Sequence, residues 1–192
     1  TLTTSSNGLI TGKNNTLQSG ASNTVLGEDN SSTNNNRSLV SGYRNITSNN
    51  QRGFIHGDKN TITGTTNTSV MGTLNKVVDI SCASVYGSQN DISGTITDSI
   101  MGGLLNKIHD VVSSALFGRQ QDISGSSGII ASGEGNSVLT STNTSVLGKS
   151  NTVTSGNKST VLGESNKLNN SELSLITGKS NESKNTSVGS II

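Results

Sequence analysis

The sequence predicts an all-β parallel solenoid, one short unit written about thirteen times along a single domain, residues 1–192. Three observations predict it: a glycine period, an asparagine that keeps step with it, and an exchange of side-chain sizes along one strand. Gly12, Gly27, Gly42, Gly57, Gly72, Gly87, Gly102, Gly118, Gly133, Gly148, Gly163 and Gly178 recur at intervals of 15 residues, one interval of 16 excepted. Such a period is the mark of stacked coils. The odd interval reads as a one-residue insertion near 103–105, in Gly102-Gly103-Leu104-Leu105-Asn106, after which the period resumes.

Two residues before each glycine stand aliphatic, mostly β-branched side chains: Ile10, Val25, Val40, Ile55, Val70, Val85, Ile100, Leu116, Ala131, Val146, Val161, Ile176 and Ile191. They read as the inner row of a strand. Three residues after the glycine comes Asn15, Asn30, Asn45, Asn60, Asn75, Asn90 and Asn106, then Gln121, then Asn136, Asn151, Asn166 and Asn181. Stacked amides bond to one another or to the turn backbone. Five after the glycine an apolar residue often returns, as at Leu17, Ile62, Val77 and Ile123, and two further lies a turn former such as Ser19, Asn34, Gly64 or Asp79. Each coil therefore reads as two strands joined by two turns. Proline is absent, as suits strands whose N–H groups all bond to neighbouring coils. At about 4.8 Å per coil the stack makes a rod roughly 60 Å long.

One and three residues before the glycine, on the face opposite the inner row, sizes trade places. Leu9, Leu39, Phe54, Ile130 and Leu175 accompany Thr11, Ser41, His56, Ser132 and Thr177. Leu26, Met71, Tyr86, Met101, Phe117, Leu147, Leu162 and Ile192 accompany Thr24, Ser69, Ser84, Ser99, Ala115, Ser145, Thr160 and Ser190. A wetted face has no reason to conserve apolar volume, whereas a packed one does. These large residues are therefore the expected interface between chains, and a lone chain is expected to fold poorly. One after the glycine, Arg119, Glu134, Lys149, Glu164 and Lys179 alternate in sign, a register-favouring ladder of small worth per pair.

Hydrophobic residues make up 28% and aromatics 2%, a composition of disordered chains that the strict period overrides. A net charge of +1 gives no reason to expect nucleic acid as a partner. Cys82 is alone, so neither an internal disulfide nor a cysteine zinc site is expected. No apolar run reaches membrane-spanning length and no signal peptide opens the chain, so no membrane insertion by this segment is expected. Both ends fall inside the repeat, which reads as an excerpt from a longer protein.

Catalytic and cofactor motifs are weak. Gly148-Lys149-Ser150 and Gly178-Lys179-Ser180 resemble the end of a phosphate-binding loop but lack its first glycine, and Gly133-Glu134-Gly135 lacks the third glycine of a dinucleotide fingerprint. His56 and His109 lie in different columns, and Asp29, Asp58, Asp79 and Asp110 are scattered, so no catalytic site, metal or cofactor is expected. His56, in the interface column, reads as a packing partner of Phe54. The most distinctive surface candidates are Arg37, Tyr43, Arg44, Arg52 and Lys59, a set suited to a carboxylate, a glycan or an aromatic group. Asn45-Ile46-Thr47 and Asn143-Thr144-Ser145 are formal glycan acceptors.

The units Thr144-Ser145-Val146-Leu147-Gly148-Lys149-Ser150-Asn151-Thr152-Val153 and Asp58-Lys59-Asn60-Thr61-Ile62-Thr63-Gly64 resemble the YadA-type head repeats of trimeric autotransporter adhesins, and the likeness runs through the chain. It implies a left-handed parallel β-roll (β-helix), a homotrimer about one axis, and display on the outer surface of a diderm bacterium or as an extracellular fibre. The chain departs from that pattern in carrying larger side chains five after and two before the glycine. The function so implied is non-enzymatic, multivalent adhesion to a host matrix protein, cell-surface receptor or glycan. The alternative is a trimeric fibre shaft, as in a phage tail fibre or surface filament. An ice-binding solenoid is more remote, since its threonine array is missing, and a hexapeptide-repeat acyltransferase is disfavoured because 15 is not a multiple of six.

Overall fold

A computed structural model describes residues 1–3 and 6–185, and among them every regular element is a β-strand. The chain falls into two compact units, Thr1–Gly94 and Thr95–Ile192. In the first, the glycine-bearing strands Leu9–Lys13, Thr24–Glu28, Leu39–Tyr43, Phe54–Asp58, Ser69–Thr73 and Ser84–Ser88 pair in parallel in chain order. Alternating with them, Thr16–Ala21, Ser31–Asn36, Ile46–Ser48, Thr61–Thr63 and Lys76–Ser81 build a second parallel sheet. Partners stand 15 residues apart, so Val70 lies between Ile55 and Val85. The second unit repeats the plan, from Ile100–Leu104 to Leu175–Lys179 in one sheet and from Lys107–Val112 to Glu182–Lys184 in the other. The fold is a parallel β-solenoid.

The glycine column has a steric cause. Gly72 has φ +128°, a region L side chains rarely adopt, and a Cβ built on it would lie 1.8 Å from the carbonyl oxygen of Gly87 in the next coil. The same clash, at 1.8–2.1 Å, recurs at nearly every glycine of the column.

Each coil turns three corners rather than the two expected from sequence. Arg44, Asn49 and Arg52, at φ 53°, 56° and 53°, mark them in one coil. The middle corner is the turn-former column read from sequence. The corner before the asparagine is the other expected turn, and the third was hidden because residues such as Arg52 and Cys82 occupy left-handed positions there. Each corner N–H donates to the coil before, as Arg52 does to Asn36 O at 2.8 Å.

The interior is much more polar than a globular core, which explains how so hydrophilic a chain folds. The expected inner row is buried in the first unit at Val25, Val40, Ile55, Val70 and Val85 and half-buried at Ile10, and Leu17, Ile62 and Val77 face it. Between them runs the asparagine ladder. Asn60, fully buried, donates from Nδ2 to Gly72 O at 2.8 Å and to Asn45 Oδ1 at 2.9 Å, and its own Oδ1 accepts the Asn75 N–H at 3.0 Å. Rungs such as Asn30, Asn45, Asn60 and Asn151 so satisfy a glycine carbonyl and a backbone N–H that the corner leaves unpaired. A second set of inward columns, unremarked in the sequence, uses hydroxyls and further amides. Ser141 donates to Leu139 O at 2.8 Å and accepts from Gly156 N at 3.1 Å, while buried Asn35 donates to Ser32 Oγ and Thr47 Oγ1, both at 2.7 Å.

Gln121 keeps the ladder's donor, reaching Gly133 O at 2.7 Å, but its longer side chain leaves Oε1 buried without a partner. Gln121→Asn should restore the acceptor and stabilise the second unit by about 1–2 kcal/mol, read as a raised midpoint in denaturant; an unchanged or lowered midpoint counts against it.

The insertion lies elsewhere than expected. Register pairs Gly103, not Gly102, with Gly118, so Met101 takes the inner row at 1% exposure and Ile100 turns outward at 50%. The inner-row placing of Ile100 and the interface placing of Met101 are thereby corrected. The extra residue falls in Asp91–Thr97, where Ser93, Gly94 and Thr95 separate buried Ile92 from buried Ile96, whereas Val78 and Asp79 alone separate Val77 from Ile80. Neighbouring glycines at 102 and 103 masked the shift. The size exchange survives, since Ile100 now accompanies Gly102.

Candidate binding surfaces

The outer face of the glycine sheet carries one large apolar side chain in each coil of both units. In the first unit these are Leu9, Leu26, Leu39, Phe54, Met71 and Tyr86, and in the second Ile100, Phe117, Ile130, Leu147, Leu162 and Leu175, all exposed or half-buried in the single chain. Ile192 lies outside the described residues. Alternation along each strand sends their neighbours, such as Val146 and Val161, into the coil and leaves these outside. The columns are not flat. Ala115 sits between Ile100 and Ile130, and over it lies an apolar hollow of about 430 Å³ edged by Asp98, Ser113 and Gly128. In that same coil the large residue is Phe117.

His56 does not stand alone in this face. Its Nδ1 lies 2.9 Å from Ser41 Oγ one coil earlier, so the ring is held by a hydroxyl as well as flanked by Phe54.

The five polar candidates do not form one patch. Tyr43, Arg44 and Lys59 gather at the corner after the glycine strand, where Arg44 lies over the Tyr43 ring at 4.6 Å and Lys59 at 5.9 Å. Their charges are already matched, Arg44 by Asp29 and Lys59 by Asp58, each at 3.6 Å. Arg37 and Arg52 stand at the corner before that strand, in successive coils. They line an open groove of about 360 Å³ with Ala21, Ser22, Asn36 and Gln51. The five-residue strand Leu39–Tyr43 separates the two groups.

Elsewhere opposite charges meet in register. Lys13 bonds Glu28 at 3.0 Å, Lys76 meets Asp91 at 3.3 Å, Arg119 meets Glu134 at 3.4 Å and Lys179 meets Glu164 at 3.3 Å. Register sets Lys149 between Glu134 and Glu164, completing the sign alternation. The hydrogen bond and charge of Glu28 hold the Lys13 ammonium above the usual lysine range, and Lys184 in the same way holds Glu182 below the usual carboxylate range. The Lys13 contribution is lost only as pH rises through its raised pKa, and the Glu182 contribution only as pH falls through its lowered one. Both pairs are solvated, so stability should stay nearly flat across neutral pH in a thermal-denaturation series. A steep change there would show a titrating group inside the coils.

The formal motifs resolve into architecture. Ser150 and Ser180, at φ 54° and 58°, are corners of ordinary coils. Asn45 is fully buried in its ladder and closed to a glycan, while Asn143 is an exposed corner. Among the described residues no three of His, Cys, Asp and Glu are grouped to hold a metal, and no helix is long and apolar enough to cross a membrane.

No family model matches the chain, and no curated protein does. Among solved structures, the polySia-specific acetyltransferase NeuO aligns over 100% of this chain and 82% of its own at 12% identity and a TM-score of 0.16. A protein assigned as an acetyltransferase from Desulfovibrio desulfuricans G20 aligns over 86% of this chain and 64% of its own at 8% identity and a TM-score of 0.18. Superposition at that level carries neither fold kinship nor activity to this chain.

Proposed function

We propose that the chain is the head of a trimeric, non-enzymatic surface adhesin, built of left-handed 15-residue coils with three parallel copies packed through the outer apolar columns. The observation that carries this reading is the one large apolar side chain that every described coil holds outside its own core, with a small one beside it. Exposed apolar stripes of this kind mark association surfaces. Copies related by rotation about an axis along the coils meet level with level, so Phe117 of one faces the hollow over Ala115 of the next. A knob at one column and a gap at the other in the same coil suit that arrangement. Attachment then comes from repetition: three copies multiply weak contacts through effective concentration.

Light scattering or native mass of the purified chain tests the assembly. Three chains are expected, and Leu147→Asp should dissociate or unfold them, because a desolvated carboxylate in each copy costs several kcal/mol. A monodisperse, stable monomer overturns the proposal. A fibre shaft shares the trimer, and binding of the chain alone to matrix proteins or a glycan array separates it from an adhesive head.

A further inference from the structure

We propose that Arg37 and Arg52 form a subsite for the acid group of a carboxylated or sulfated saccharide. At Lys13, Lys76, Arg119 and Lys179 a basic side chain meets an acidic residue on a neighbouring coil. Arg37 and Arg52 instead stand at the same corner of successive coils and line one groove. They follow the bridged residues Asn36 and Gln51, so their backbones are one coil, about 4.8 Å, apart. No acidic residue lines their groove. Two like charges stacked in successive coils repel; Arg44 and Lys59, stacked in the same way, are each matched by an aspartate, and an anion between Arg37 and Arg52 would do the same there.

The polar groups around them are donors. Asn36 Oδ1 accepts the Ala21 N–H at 2.9 Å, which leaves its Nδ2 hydrogens as the groups it offers the groove. Arg52 is steadied from the next coil by Asn67 Oδ1, 3.3 Å from Nη1, with the rest of its fork open. Two guanidinium forks beside an amide donor match a carboxylate or sulfate. Gln51 and the Ser22 hydroxyl add partners for sugar hydroxyls. The basic column stops after two coils, at Ser22 on one side and Asn67 on the other, so the site takes a single acid group and not a long polyanion. Ala21 is the one apolar residue in the lining, which favours a sugar over a peptide with side chains to bury. The subsite names a ligand class for the proposed head and rests on that reading for its role in attachment, not for the binding itself.

The test is titration calorimetry on the whole 192-residue chain in its native assembly, with trigalacturonate, a sulfated galactose trisaccharide, neutral galactotriose and a phosphopeptide as probes. The two acidic saccharides should bind and the neutral one should not. Arg37→Gln with Arg52→Gln should weaken them at least about tenfold, while Arg119→Gln with Lys149→Gln, an equal change of charge, should leave them within about twofold. Arg37→Gln alone should fall between, and it serves if the double variant is not folded by circular dichroism. Equal loss in the control pair, no binding of either acidic saccharide, or a phosphopeptide bound as tightly would each overturn the subsite. Light scattering on the same samples keeps the readings apart: a trimer that binds no acid refutes the subsite alone, and a binding monomer refutes the trimeric head alone.

Discussion

Gly72→Ala should abolish the folded first unit or lower its stability by more than about 4 kcal/mol. Two costs add. An alanine at φ +128° is strained by about 1–3 kcal/mol before any contact is considered. Its methyl would then stand 1.8 Å from Gly87 O, a backbone atom that moves only if the neighbouring coil moves. That carbonyl is also the acceptor of Asn75 Nδ2 at 2.9 Å, so displacing it loosens a rung of the amide ladder. Circular dichroism and chemical denaturation should show loss of the cooperative transition or a midpoint far below wild type. Gly135→Ala makes the control: it too has a positive φ, of 64°, yet its Cβ would find only Ser150 Oγ at 3.7 Å, so the smaller cost of a left-handed alanine is expected. Equal losses at both sites would show that conformation, and not the stacked carbonyl, dictates the glycine period.

Asn60→Ala should destabilise the same unit by about 3–5 kcal/mol. The side chain exchanges four hydrogen bonds with its neighbours: from Nδ2 to Gly72 O and Asn45 Oδ1, and to Oδ1 from the backbone and side-chain nitrogens of Asn75. All lie inside the coil, where water does not replace them, so removal strands a carbonyl and an N–H together. Asn60→Leu, closer in volume, should be no milder, because the loss is polar and not steric. A denaturation midpoint near wild type for either variant would mean that water enters the coils and the ladder is dispensable.

Much of this fold was legible because stacking forces each column to repeat its chemistry. The glycines, the amides and the inner aliphatic row all repeat at 15 residues, and pairing has the same offset. What escaped reading has a physical reason in each case. The third corner holds Arg37, Arg52, Cys82 or Leu173 in left-handed conformations, residues whose own preferences give no turn signal. The inward serines and threonines, Ser126, Ser141 and Thr144 among them, look like surface residues until backbone partners are seen to satisfy them. Met101 was misplaced because one glycine too many made two registers equally good until Gly103 was seen opposite Gly118. The polar cluster shared chain proximity but not a corner, since Arg37 and Tyr43 end opposite sides of one strand.

The amide ladder carries a consequence for the growth of such genes. Successive asparagine rungs bond alike to the coil before and the coil after, so a tandem duplication or excision of one such repeat rejoins chemically equivalent neighbours. Removal of residues 46–60 would join Asn45 to Thr61 and seat Asn75 upon Asn45 with the donors and acceptors that Asn60 had offered. Excision of any other small number breaks the match for every coil that follows, unless a bulge such as the one at residues 93–95 absorbs it. Recombination between repeats can therefore change the number of coils without redesigning their interior.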